Sequence, residues 1–108
     1  MGTGARPKPA RLAEKLQRIR MAFGFSQSEM VKHLGLEDEI TYTKISHYEL
    51  GTREPPLTVL LKYAQAAGVW VDVLIDDEFD LPEKLPSMTK HAGVKRQAAA
   101  KHIYKKRI

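Results

Sequence analysis

The sequence predicts an all-α fold: a compact domain of five short helices, with a flexible N-terminal arm before it and a basic C-terminal tail after it. Three observations predict this. Apolar residues recur at the helical period of 3.6 in successive short windows. Four of those windows run into a glycine, at Gly24, Gly35, Gly51 and Gly68, where a left-handed residue closes a helix most easily. At 108 residues and 43% hydrophobic content, the chain suffices for one small core.

Residues 1–9 contain Gly2, Gly4, Pro7 and Pro9 and no apolar period, and form the arm. From Arg11 a helical stripe begins, with Leu12, Leu16, Ile19 and Phe23 stepping by four, three and four. Ser26 starts the second helix as its N-cap, with Glu29 three residues on as capping-box partner. Met30, Val31 and Leu34 form its inner face. After the acidic run 36–40, a third helix starts at Thr41 as N-cap and ends at Leu50, with Ile45 and Tyr48 inward. The TREPP segment (52–56) is a loop, since each proline restricts the residue before it. A fourth helix opens at Pro56 or Leu57 and runs through Ala67, with Leu57, Leu60, Leu61, Ala64 and Ala67 as its apolar positions. A fifth, short element spans 69–77. Core signals stop after Leu81, so the domain is read as 10–81 and the tail as 82–108, partly helical or disordered, with Pro82 and Pro86 as breakers.

Charge is unevenly placed. The net is +5, but residues 1–20 carry +5, residues 21–81 carry −7 and residues 82–108 carry +7. Basic ends around an acidic middle suit a polyanionic partner, or serve only to keep the chain in solution. The absence of cysteine excludes a disulfide framework, a thiol nucleophile and a thiolate metal site. No apolar run approaches the roughly 20 residues of a membrane span, and MGTGARPKPAR lacks the apolar core of a secretory signal. A cytoplasmic, nucleoid-associated protein is expected. His33, His47, His91 and His102 are dispersed without ligand spacing. The cluster Asp76, Asp77, Glu78 and Asp80 lacks the bend glycine of a calcium loop and reads as a solvated negative turn. With no glycine-rich phosphate loop either, the chain is expected to be no enzyme and to bind no metal or cofactor.

The informative place is the joint between the second and third helices, which with the first make a helix-turn-helix unit. Residues 12–75, about 60% of the chain, resemble the phage-repressor (Cro/repressor, XRE-type) helix-turn-helix family. The matching pieces are LAEKLQRIRMAFGFSQSEMVKHLGL, ISHYELGTREPPLTVLLKYAQAAGV and VDVLI, the most specific being Gly24–Gln27 and Ile45–Gly51. The resemblance implies a five-helix, repressor-like DNA-binding domain whose third helix enters the major groove, as a homodimer on a palindrome-like operator.

The resemblance places base-reading side chains at Tyr42, Thr43, Ser46 and His47. The chemistry is suitable, since Ser and Thr hydroxyls suit any base edge, a threonine methyl meets thymine, and His47 offers a donor or an acceptor. Phosphate contacts are expected from Ser26 and Gln27 at the start of the second helix, from Lys32 and Lys44, and from Thr52 and Arg53 after the third. N-capping alone also accounts for Ser26. Arg20 and Glu49 match a structural ion pair of the family, which removes both from the DNA-facing surface. Trp70, Val73, Phe79 and Leu81 offer a dimer interface, with aromatic anchoring, or pack as ordinary core.

Two features depart from the family. Nine residues separate Gly35 from Ile45 where about five are usual, and Glu37, Asp38 and Glu39 make the surplus acidic. They either bulge outward or add a turn to the third helix. Trp70 stands where a capping Ser, Thr or Asp is usual. The acidic insertion favours a second reading, a protein-interaction module such as an antitoxin or co-regulator with weak DNA binding, whereas the basic ends favour DNA.

Overall fold

Five α-helices follow one another in the computed structural model, which describes residues 8–88. They are α1 (Leu12–Phe23), α2 (Gln27–His33), α3 (Tyr42–Leu50), α4 (Leu57–Ala67) and α5 (Val71–Ile75), followed by a 3-10 turn at Pro86–Met88. The expected arm up to Pro7 and the tail cations Lys95, Arg96, Lys101, Lys105, Lys106 and Arg107 lie outside the described residues.

The core gathers around α1, which packs on α3, α4 and α5, while α2 packs on α3. Leu16 and Ile19 of α1, Met30 of α2, Ile45 of α3, Tyr63 of α4 and Leu74 of α5 are all fully buried. Burying each aliphatic side chain contributes about 1.5–3 kcal/mol. On α4 the buried face is Val59, Leu60, Tyr63, Ala64 and Ala67. Leu57 is 80% exposed and Leu61 is also exposed, so two of the apolar positions read from the sequence face outward. Apolarity alone did not separate them from Val59 and Tyr63, because the helix is apolar on most sides.

Packing continues past Leu81, where the sequence shows no further apolar period. Leu85 is buried, and the 3-10 turn lies against the end of α4. Gly68 permits this approach. A Cβ there would stand 2.6 Å from the Ser87 backbone nitrogen, and its φ of +78° is left-handed.

Both ends of α1 are tied to distant chain. At its start, the Asp77 carboxylate accepts hydrogen bonds from the Ala10 and Arg11 backbone N–H groups at 2.9 and 3.0 Å. The Arg11 guanidinium donates to the Asp77 carbonyl at 2.9 Å and pairs with Asp80 at 2.6 Å. The acidic turn is thus the cap of α1, brought from 66 residues away, and not merely a solvated loop. These donors hold the carboxyl groups of Asp77 and Asp80 below the usual carboxylate range. One turn on, Lys15 is fully buried, and its ammonium donates to the carbonyls of Val73 and Asp76 at 2.8 and 2.9 Å. A cation is favourable at that helix C-terminus, although burial draws the lysine pKa down.

At the far end of α1, Arg20 meets Glu49 of α3 in a two-pronged pair, Nε to Oε2 at 2.7 Å and Nη2 to Oε1 at 2.9 Å. The third guanidinium nitrogen donates to the Phe25 carbonyl at 2.9 Å, and Gln27 adds Nε2 to Glu49 Oε1 at 3.3 Å. The side chains are only 16% and 3% exposed. Truncating one partner leaves the other charge buried alone, which costs about 3–5 kcal/mol. Glu49→Ala is therefore expected to lower the thermal midpoint by more than about 10 °C, read by circular dichroism. Glu49→Gln, which keeps an acceptor, is expected to lose less.

The α1 cap gives a pH dependence. The folded pKa values of Asp77 and Asp80 lie below the unfolded one, so their contribution is present above about pH 4 and is lost as pH falls through the folded values. Asp77→Asn is expected to be less stable than the parent at pH 7 and to close most of that gap at pH 3, measured by denaturant titration at both pH values.

Candidate nucleic-acid interface

The α2–α3 unit begins at Ser26, whose hydroxyl accepts from the Glu29 N–H at 3.1 Å while its own N–H donates to Glu29 Oε1 at 2.7 Å. Both arms of a capping box are present, and these bonds hold the Glu29 carboxyl below its ordinary pKa. The helix then buries Met30 and Val31 and exposes Lys32.

The long connection to α3 is resolved by one residue. Leu36 is buried, and its carbonyl accepts from the N–H groups of both Glu39 and Ile40 at 2.9 Å. Glu37, Asp38 and Glu39 thus form a tight exposed turn closed over an apolar anchor. Helix α3 starts at Tyr42 and is not lengthened by the surplus residues. Thr41 takes the N-cap position with extended backbone, though its side chain makes no capping bond.

Ile45 and Tyr48 turn inward from α3. At about 100° per residue, Thr43, Ser46, His47 and Leu50 then share the opposite stripe, with Tyr42 at its edge. Tyr42 is 57% exposed, Thr43 is exposed, and Ser46 and His47 are half-buried. The stripe carries no carboxylate and no ammonium, while Lys44 is half-buried on the other flank. His47 Nδ1 is buried without a hydrogen-bond partner, so the ring meets any ligand through Nε2.

The segment after α3 folds back on its end. The Thr52 and Arg53 N–H groups donate to the His47 carbonyl at 3.1 and 3.3 Å, and Thr52 Oγ1 donates to it at 3.3 Å. Arg53 is left exposed beside the helix terminus. Of the expected phosphate-contacting residues, Lys32, Thr52 and Arg53 are exposed at the surface of this unit, Lys44 is half-buried, Ser26 has its hydroxyl in the cap, and Gln27 is engaged with Glu49.

The apolar group offered for a dimer contact divides. Phe79 is 49% exposed, Trp70 and Val73 are half-buried, and Leu81 is buried in the domain's own core. A separate cleft of about 290 Å³ lies between Pro9, Pro55, Leu57 and Ile75. Sequence reasoning missed both Leu36 and the outward placement of Leu50. The signal for Leu50 was available, because it stands four residues after Ser46 and seven after Thr43.

Among the described residues, no three His, Asp or Glu side chains gather to hold a metal, and no helix is long and apolar enough to cross a membrane. A helix-turn-helix family model matches residues 16–74. The chain is 37% identical over 75 residues to the SPbeta prophage-derived uncharacterized HTH-type transcriptional regulator YonR of Bacillus subtilis (strain 168). That alignment spans 67% of this chain and 66% of the relative, just under two thirds of its length. No solved structure matches the chain significantly. The chain belongs to the helix-turn-helix family, in the phage-repressor (XRE) type that its sequence resembles.

Proposed function

We propose that the protein is a sequence-specific DNA-binding transcriptional regulator, a repressor, that places α3 in the major groove. The carrying observation is the uncharged hydrogen-bonding stripe of α3, exposed beside Tyr42 and held from behind by Ile45, Tyr48 and Glu49. Thr43, Ser46 and His47 supply base contacts, with Tyr42 against sugar and phosphate. Lys32, Lys44, Thr52 and Arg53 position the unit on the backbone, joined by the N-terminus of α2 at Ser26 and Gln27. Two copies on a symmetric site are the natural arrangement, with Trp70, Val73 and Phe79 available for contact and Leu81 supporting them from the core. Such a role goes with a place on the nucleoid.

A second reading has its own support. The exposed acids Glu37, Asp38 and Glu39 immediately precede α3, where they repel phosphate. They suit a protein-interaction module such as an antitoxin or co-regulator.

Selection of bound duplexes from a random pool separates the two. A recurring motif is expected, and the half-site spacing within it reports the oligomer. Binding that is salt-sensitive but without sequence preference would overturn the specific-regulator reading. The tail is expected to add nonspecific phosphate contacts. Truncation after Met88 removes seven Lys/Arg, and should weaken binding and reduce the slope of log affinity against log salt. An unchanged slope would show that the tail is idle.

A further inference from the structure

One side chain on the outward stripe of α3 serves neither the fold nor the contacts proposed above. Leu50 is 71% exposed, although the other aliphatic residue of its helix, Ile45, is fully buried. It lies three residues after His47 and four after Ser46, so it extends the hydrogen-bonding stripe by one turn. The segment after the helix folds back on the His47 carbonyl and leaves Leu50 uncovered.

We propose that Leu50 is a specificity-determining residue that reads the C5-methyl group of thymine in the major groove. The proposal rests on the DNA-reading role given to α3 above. Thymine's methyl is the one apolar group that a base pair presents in that groove. Against any other base edge, or against a phosphate, an isobutyl group takes water from a polar atom and returns no hydrogen bond. Discrimination therefore comes from what Leu50 excludes as well as from what it touches.

The stripe as a whole has a pattern that fits. Thr43 carries a methyl at one end, Leu50 is apolar at the other, and Ser46 and His47 supply hydrogen bonds between them. Thr43 and Leu50 are seven residues apart, about 10 Å along the helix axis. That is the rise of about three base-pair steps. A helix laid along the groove would thus bring an apolar contact to each end of a short element whose middle is read by hydrogen bonds.

The test uses the full-length chain and a site obtained by selection from random duplex. Each thymine of that site is replaced in turn by deoxyuridine, which removes the methyl group and leaves every hydrogen-bonding atom in place. One position is expected at which the replacement weakens parent binding about fourfold, the worth of one buried methylene-sized group. In Leu50→Ala that penalty should vanish, while any penalty due to Thr43 persists at another position and disappears in Thr43→Ser. Leu50→Ala should keep the parent's thermal midpoint, because the residue is exposed and alanine is a strong helix former. Leu50→Gln, with similar reach and no apolar end, should give the same result as a second variant. Tolerance of uracil at every position, or the same penalty in the parent and both variants, would overturn the proposal. If no sequence is selected at all, the DNA-reading role of α3 fails, and the role of Leu50 fails with it.

Discussion

The guanidinium of Arg20 engages three parts of the chain at once: α1 that carries it, the Phe25 carbonyl at the joint before α2, and the Glu49 carboxylate of α3. Glu49 is the residue before Leu50, on the side of α3 turned toward the domain, and Gln27 at the start of α2 shares its carboxylate. The rotation of α3 about its own axis, and so the direction of the stripe from Thr43 to Leu50, depends on this contact. A hydrophobic interface alone permits some rolling of one helix on another. A planar fork meeting a carboxylate in two parallel bonds permits little, because its geometry is fixed. Desolvating both charges makes the pair a modest source of net stability, and its main effect is orientation.

A second set of contacts holds the opposite end of α1. Lys15 donates to the last carbonyls of α5, and Asp77 accepts from the backbone at the start of α1. The exchange is reciprocal, with a cation from α1 capping α5 and an anion following α5 capping α1. Neither terminus has a local side-chain cap to replace these contacts. The first helix thus serves as a strut between the α2–α3 unit and the α4–α5 end, tied to each by charged hydrogen bonds and to both by Leu16 and Ile19.

Legibility in the sequence followed the distance over which an interaction acts. The capping box of Ser26 and Glu29 spans three residues, and the limits of α1 through α4 follow from periodicity and glycine stops, so these were readable in the letters. The cap at Asp77 acts across 66 residues, and no local window connects it to Arg11. Lys15 was hidden for another reason. Its position continues the buried face of α1, but lysine's usual place at the surface argues against burial unless the two accepting carbonyls are known. Leu85, alone between two prolines, offers no period to detect. The long connection before α3 was ambiguous because its outcome depended on whether Leu36 was buried, which is a tertiary fact. At the candidate interface, the membership of the stripe was readable from helical spacing. The commitment of Ser26 to its cap and of Gln27 to Glu49 was not, and the His47 ring orientation was not.

The placement of charge separates two tasks that many nucleic-acid-binding surfaces combine. The α3 stripe is uncharged, and the turn before it carries Glu37, Asp38 and Glu39, so this part of the molecule attracts an arbitrary polyanion weakly. Arg20, the cation nearest α3 on α1, is neutralised internally. Lys/Arg residues are instead concentrated in 1–20 and 82–108, at the two ends of the chain. On the proposed function, the basic ends supply affinity that any sequence can satisfy and that salt weakens. The stripe then supplies discrimination through hydrogen bonds and apolar fit, which salt affects little. The acidic turn sharpens that division. It penalises every close approach of phosphate to the start of α3, so a bound state survives only where the contacts of the stripe with base edges compensate. A negative residue next to a reading helix then acts against nonspecific complexes more than against the correct one, because only the correct one has base contacts to set against the repulsion.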